Sequence, residues 1–349
     1  MIQTKRRQSN LELLRIFCMF GVITVHTAFG ILGHPDHAEL VGQTGYCVTR
    51  TLIESLALCS VNTFVLISGW FGITFRWKSF CNLIFQVFFF LIGLSAIAVL
   101  MDLEPLSKDL LFRSLSLTPI YWFIKCYVGL YILAPVLNAF VQQIDQKTFR
   151  TVLVVFFVFQ SIWGWAMMGT GYINYGYSAF SFIGLYLLAR YVRLYRPSWS
   201  QFKAKTDLLI WLICSLFTTI LLLVAIYLDN DSYVDRFMAY SSPLVIVSAM
   251  FLLLAFSKLS FQSKAINWIA KSCLAVYLMH HIVWTYWVRP AVERVAESDL
   301  RGVLFFLSIT AILICFYALS VFCDKIRILV WEHTFAKCFQ EKKNDIYQK

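Results

Sequence analysis

Arg15 and His26 are separated by ten residues within an apolar segment near the start of the chain. Each residue of an α-helix turns the chain by about 100°, so eleven positions amount to three turns and about 20°. The two side chains therefore share one helix face, about 16 Å apart along the axis. An imidazole can take up and release a proton near neutral pH, and a guanidinium binds anions. The spacing predicts a proton-transferring group and an anion-binding group along one side of one helix.

The segment around Arg15 also supplies a carboxylate. Glu12 lies one turn earlier on nearly the same face, where it can pair with Arg15. Two other interpretations stay open: Arg15 could extend to the lipid headgroups, and His26 could be a hydrogen-bonded packing residue. An ionisable group inside a membrane span costs about 3 kcal/mol and usually faces the protein interior. The presence of both residues on one face therefore favours a functional role over these alternatives. We call Glu12, Arg15 and His26 the stripe.

Two further candidates fall at a depth comparable to that of His26. Glu54 lies near the outer end of the second apolar segment; a carboxylate that orients an imidazole recurs in histidine catalysis, and the alternative is a water-exposed interfacial carboxylate. His280 and His281 are adjacent in the ninth apolar segment and point about 100° apart, so only one can face the same interior point. We take His26, Glu54 and His280 as candidate catalytic residues, with an interfacial histidine pair as the alternative for His280.

The elements that must position these residues are membrane helices. Apolar residues make up 60% of the 349 and charged residues 14%, against about 25% charged in a typical soluble domain. The mean hydropathy is +0.71. This composition excludes a soluble domain, a disordered chain, a coiled coil and a secreted disulfide scaffold. We infer an integral membrane protein.

Ten apolar segments are long enough to cross a bilayer, which takes about 20 residues. Backbone polar groups must be satisfied inside the hydrocarbon, so these segments are predicted as helices. We expect an all-α bundle of about ten transmembrane helices that forms a single membrane domain over residues 1–349, without a soluble domain. The predicted helices are 11–31, 51–73, 79–101, 120–141, 150–168, 178–194, 207–228, 240–259, 267–289 and 302–323.

The distribution of basic residues predicts the orientation. Of the 30 Lys and Arg residues, 20 fall on the side of the amino terminus and 7 on the opposite side. Cytoplasmic loops carry the excess of basic residues, so both termini are predicted to be cytosolic. The run Arg190, Arg193 and Arg196 is interpreted as part of this anchoring charge. Because the basic residues punctuate apolar segments and do not form a patch on a soluble domain, the net charge of +11 does not indicate nucleic-acid binding.

Four sequence blocks together resemble the acyltransferase family 3 of integral-membrane proteins. They are SNLELLRIFCMFGVITVH (9–26), NTFVLISGWF (62–71), YWFIKCYVGLYILAPVLN (121–138) and SCLAVYLMHH (272–281). The resemblance implies transfer of an acyl group, usually acetyl from acetyl-CoA, to a hydroxyl group of a carbohydrate. It also implies that His26 is the catalytic residue and that Arg15 belongs to the CoA-binding side.

The donor side of the predicted site includes three more residues. Ser68, Arg76 and Lys78 lie toward the cytosolic surface and are added to Arg15 as candidate CoA-binding residues, although a small residue such as Ser68 also serves as a helix-packing surface. Many relatives carry further arginines before and within the third helix. Here only Arg76 and Lys78 precede an uncharged stretch, CNLIFQVFFF.

These observations lead us to expect an O-acyltransferase of the bacterial inner membrane. It would move an acyl group from cytosolic acyl-CoA to a surface polysaccharide or its lipid-linked precursor, with His26 as general base and without a metal ion. The alternative is a transporter or flippase of a lipid-linked glycan, with the same residues lining its path. No ATP-binding or zinc-protease motif is present in the sequence.

The predicted topology can be tested by cysteine accessibility on a cysteine-free background. Single cysteines near Asp36, Asp231 and Glu297 should react with an impermeant thiol reagent added outside the cell. Cysteines near Lys147 and Lys203 should be protected until the membrane is opened. Reversed labelling at two of these positions would contradict the assigned orientation.

Overall fold

A computed structural model describes residues 7–167, 171–337 and 339 of the chain. Residue 168, which ends the predicted segment 150–168, lies outside the described residues, as do the basic residues at the extreme ends of the chain that enter the charge distribution. The described residues form helices and connecting turns, with no strand among them. This confirms the predicted all-α membrane class.

The chain divides into two compact units, of which the larger comprises residues up to Thr74 and Trp122–Ala270. Its helices are α1 (Ser9–Ala28), α2 (His37–Gly42), α3 (Thr44–Ala57), α4 (Ser60–Phe71), α7 (Trp122–Gln143), α8 (Gln146–Phe159), α9 (Ala179–Tyr195), α10 (Ala204–Tyr227), α11 (Asp231–Met238), α12 (Pro243–Ser257) and α13 (Lys264–Ala270).

The smaller unit comprises Phe75–Tyr121 and the residues from Lys271 onward. Its helices are α5 (Trp77–Leu100), α6 (Lys108–Ser114), α14 (Cys273–Met279), α15 (Arg289–Glu297) and α16 (Gly302–His333). The single membrane domain over 1–349 stays a prediction.

Eight helical segments of the described residues are long and apolar enough to cross a membrane. The predicted segment 178–194 corresponds to α9, which has only 17 residues. The predicted helix 267–289 is wrong as a continuous element: it is divided into α13, α14 and a π-helical turn, Trp284–Val288. The predicted segment 51–73 is likewise divided at Leu58 and Cys59 into α3 and α4, and α16 extends ten residues beyond the predicted end at 323.

The polarity of α10 is that of a membrane helix. Its exposed residues include Ile213, Phe217 and Ile220, each at least half exposed. Its buried face carries Thr218 and Thr219, whose hydroxyl groups donate hydrogen bonds to carbonyl groups one turn earlier in the same helix. An exposed apolar stripe of this kind would be an aggregation hazard in water but is the expected surface against lipid.

Local sequence fixes several helix starts. The side chain of Asp145 accepts hydrogen bonds from the backbone amides of Lys147 (2.9 Å) and Thr148 (3.0 Å) and so caps α8. The hydrogen bonds from Thr148 hold the pKa of the Asp145 carboxyl below its usual value. A local signal also fixes the end of a helix. Helix α4 ends at Gly72, whose φ of +74° is readily adopted only by glycine.

The smaller unit contains a buried polar network between α5 and α16. The Gln86 side chain donates to Asp324 (3.0 Å), and the Arg327 guanidinium donates to Asp324 (2.7 Å) and to Asn82 (3.0 Å). Asp324 is fully buried. Since a buried charge is tolerated when it is paired and hydrogen-bonded, this network is a structural connection between the two helices.

The contact between α4 and α9 depends on Gly69. A Cβ atom added there would overlap the carbonyl oxygen of Tyr186 and lie 2.9 Å from the Cβ of Ala189. We expect Gly69→Ala to destabilise the protein by about 1–3 kcal/mol because the helices must separate. Gly93→Ala on α5 is the matched control, since nothing lies within 4 Å of its added Cβ. The midpoint of thermal unfolding in detergent measures both, and equal midpoints would contradict the close contact.

Candidate active site

The predicted stripe lies on one uninterrupted helix, α1. Glu12 is buried, and the Arg15 guanidinium donates hydrogen bonds to both of its carboxylate oxygens, at 3.0 and 3.1 Å. Arg7 forms a second, longer ion pair with Glu12, at 3.4 Å. The Glu12–Arg15 pair predicted from the spacing is therefore present. Arg15 also lies over the ring of Phe71, with its guanidinium carbon 5.8 Å from the centroid.

His26 lies in the last turn of α1 and is half-buried. Eleven residues of continuous helix separate it from Arg15, which corresponds to about 16 Å along the axis. The two ends of the stripe are thus held at a fixed distance by backbone hydrogen bonds.

Two contacts define how α1 packs against the helix pair α3–α4. Near the middle of α1, the helix approaches so closely at Gly21 that an added Cβ would overlap the Ser60 hydroxyl. At the carboxyl end, the Arg50 guanidinium of α3 donates to the carbonyl oxygens of Leu32 (3.4 Å) and Gly33 just beyond α1. Small residues at such crossings allow membrane helices to pack closely.

Glu54 lies on α3, the helix whose Arg50 contacts the chain that follows α1. Arg50 and Glu54 are one turn apart and about 40° apart around the helix. Glu54 is therefore on nearly the same side of α3 as Arg50, whose guanidinium contacts the chain beyond α1.

Glu54 is completely buried. Neither of its carboxylate oxygens accepts a hydrogen bond from any described residue. The water-exposed interpretation of Glu54 is therefore excluded by its burial. A buried polar group without a partner is costly, and its occurrence in a folded protein calls for an explanation such as a catalytic role. Glu54 is an acceptor that a nearby donor, from the protein or from a substrate, can satisfy.

Arg50 is a further residue of this site that the sequence pattern indicates only as a charge of an outer loop. The side chain is only 3% exposed. It also forms an ion pair with Glu39 at 3.2 Å and lies 5.2 Å from the ring centroid of Tyr46. The available signal was its position one helical turn before Glu54. Arg50 connects α3 to the chain that follows His26 and is the positive charge on the Glu54 face of that helix.

The remaining predicted donor-side residues divide between the two units. Ser68 lies on α4, and its hydroxyl donates to the Phe64 carbonyl (3.1 Å) and lies 3.3 Å from the Tyr127 hydroxyl. Arg76 and Lys78 belong to the smaller unit, where both are exposed at the start of α5. Ser68 thus lies in the unit that carries Arg15 and His26.

The two adjacent histidines lie where the predicted ninth helix is interrupted. His280 is the residue after α14, and its Nδ1 lies 2.5 Å from the Tyr277 carbonyl oxygen. The His281 ring has a different neighbour, the Tyr121 ring at 6.0 Å between centroids. The two rings therefore have different aromatic neighbours, since His280 lies beside the Tyr277 ring. Both belong to the smaller unit, and the catalytic role of His280 stays a prediction.

Comparison with known proteins gives one match. A family model described as an acyltransferase domain, the model of acyltransferase family 3, matches residues 8–323. It covers α1 to α15 and most of α16, including every candidate residue above. No curated protein and no solved structure matches the chain. The match confirms the resemblance found from the four sequence blocks.

Proposed function

Because the chain belongs to acyltransferase family 3, a family of membrane-embedded acyl-transferring proteins, we propose that it is a bacterial inner-membrane O-acyltransferase. Its donor is cytosolic acyl-CoA, with acetyl as the acyl group, and its acceptor is a hydroxyl of a surface polysaccharide or of a lipid-linked precursor. The observation that carries this proposal is the stripe on α1, with Arg15 near one end and His26 in the last turn at the other.

The stripe suits a donor that enters from the cytosol. CoA carries its phosphates at one end and its thioester at the end of a long, thin pantetheine arm. Guanidinium groups bind phosphate oxygens through paired, charge-assisted hydrogen bonds. With the phosphates near Arg15, the arm lies along α1 and the thioester is carried to His26, about 16 Å farther along the helix.

His26 then acts as the general base. It removes the proton from the acceptor hydroxyl while the hydroxyl oxygen attacks the thioester carbonyl carbon. The carbon–sulfur bond breaks, an ester is formed, and the CoA thiolate takes the proton back from the imidazolium. Glu54 stabilises the imidazolium as it forms, as carboxylates do for histidines elsewhere. General-base catalysis of this kind contributes typically 10²- to 10⁴-fold.

A transporter or flippase of a lipid-linked glycan is the competing function, and one assay separates the two. Purified protein in detergent, given acetyl-labelled acetyl-CoA and cell-envelope glycan, should transfer label to the glycan without any ion gradient. A transporter would leave acetyl-CoA intact. Intact acetyl-CoA in the presence of its acceptor would therefore contradict the proposed function.

Substitutions on α1 should separate binding from chemistry. Arg15→Ala should raise the KM for acetyl-CoA about tenfold or more, because a charge-assisted contact of about 1.5–3 kcal/mol is lost. His26→Ala should leave CoA binding nearly intact and remove most of the turnover. His34→Ala, an exposed histidine of the following loop, is the control and should behave as wild type. Wild-type turnover in His26→Ala would shift the catalytic assignment to His280.

Glu54→Gln preserves the shape of the side chain and removes its charge. We expect kcat to fall at least tenfold at neutral pH, within the usual range for an acid–base partner, with little change in the KM for acetyl-CoA. The double variant with His26→Ala should be no slower than His26→Ala alone, because residues that act as one unit are not additive. Glu293→Gln, at an exposed carboxylate on α15, is the control. Near-normal turnover in Glu54→Gln would remove it from the mechanism.

A further inference from the structure

Three arginine side chains from two helices meet the end of α4. The Arg15 guanidinium of α1 lies over the Phe71 ring, and the Arg193 guanidinium of α9 lies 4.8 Å from the centroid of the Trp70 ring. Arg190, one turn before Arg193, lies beside Gly72. We call Arg15, Arg190 and Arg193 the inner arginine cluster. All three belong to the larger unit.

The cluster carries more positive charge than its acidic neighbours compensate. Arg15 is paired with Glu12. Within the described part of the chain, no acidic side chain forms an ion pair with Arg190 or Arg193. Two guanidinium groups one turn apart on α9 repel each other, and such an arrangement is costly unless an anion lies between or beside them.

Ordinary anchoring charge does not explain the position of Arg190. An arginine that anchors a helix end extends its charged group outward to water and headgroups. The Nε of Arg190 is instead buried and has no hydrogen-bond acceptor among the described residues. Its guanidinium fills the space that a side chain at position 72 would need, since a Cβ on Gly72 would lie 3.0 Å from Nη1. The absence of a side chain at Gly72 therefore gives Arg190 its place at the end of α4.

The cluster has the chemistry of a polyphosphate site. Arginine presents several donors in a planar fork that matches phosphate oxygens, and its charge is permanent. Trp70 and Phe71 hold two of the guanidinium groups by cation–π contact, which limits their conformational freedom. Arg15, the member of the cluster on α1, also begins the stripe that leads to His26.

We propose that Arg190 and Arg193, together with Arg15, bind the nucleotide phosphates of the acyl-CoA donor. This inference rests on the proposed function and assigns its donor-specificity residues.

The test compares two donors that share the thioester and the arm. Acetyl-CoA carries the nucleotide phosphates, and acetyl-pantetheine lacks them. In wild-type protein, kcat/KM should be far higher for acetyl-CoA. In Arg190→Gln and Arg193→Gln, the ratio of kcat/KM for acetyl-CoA to kcat/KM for acetyl-pantetheine should fall at least tenfold. The reason is that the substitution removes phosphate contacts that only acetyl-CoA makes. The Kd for unacylated CoA should rise by a similar factor. Arg150→Gln, an equal charge change on exposed α8, should retain the wild-type ratio.

Arg193→Gln is the second variant, which still tests the proposal if Arg190→Gln folds poorly. Arg193 is exposed at the surface of α9, whereas the Nε of Arg190 is buried, so the substitution of Arg193 disturbs packing less. Anionic lipid is a second source of phosphate, and the assay is therefore run in nanodiscs of phosphatidylcholine alone and with phosphatidylglycerol. Donor discrimination that depends on Arg193 in both compositions supports the CoA site. An effect of Arg193→Gln confined to discs with phosphatidylglycerol would overturn it in favour of lipid binding.

The outcomes also separate this inference from the proposed function. A wild-type protein that neither binds CoA nor transfers acetyl would contradict both. A wild-type protein that transfers acetyl, with Arg190→Gln and Arg193→Gln retaining its donor ratio, would overturn the inference alone.

Discussion

The antiparallel contact between α1 and the helix pair α3–α4 is the constraint on which the site depends. It is held at one end by the absence of a side chain at Gly21 and at the other by the Arg50 guanidinium, which reaches the carbonyl groups beyond α1. The rise of about 1.5 Å per residue fixes the spacing of Arg15 and His26 along α1. Arg50 ties the chain beyond His26 to the helix that carries Glu54.

Buried charges elsewhere in the protein show why Glu54 is unusual. Asp324 accepts hydrogen bonds from Gln86 and Arg327, and the buried Asp207 is paired with Lys258. These carboxylates serve the packing of their own units, since each has a partner supplied by the protein. Glu54 is equally buried but accepts no hydrogen bond from a described residue. A buried carboxylate without a hydrogen-bond donor in a membrane protein is a stronger indication of a catalytic role than a paired carboxylate.

The inner arginine cluster contains two members of a sequence run whose charges do not all have the same surroundings. Arg190, Arg193 and Arg196 all contribute to the positive charge expected on the cytosolic side. Only the first two contact the end of α4, whereas Arg196 ends α9 in a left-handed conformation. Charge counting treats the three alike, and the packing of α9 against α4 distinguishes them.

The sequence by itself determined the features that depend on local periodicity. Apolar length determined the membrane class, the 3.6-residue turn placed Glu12, Arg15 and His26 on one face, and four ordered blocks identified the family. The sequence could not determine the burial of Glu54, the contacts of Arg50, or the place of Arg190 beside Gly72. Each depends on a partner remote in the chain, and hydropathy does not encode which helix faces which.

The break at His280 has the same origin. Its segment is apolar enough to be predicted as one helix, yet the structure divides it at the two histidines. Hydropathy measures only whether a segment is stable in lipid. Whether its backbone stays helical depends on neighbouring groups that can satisfy the freed hydrogen bonds, and those are supplied by the tertiary structure.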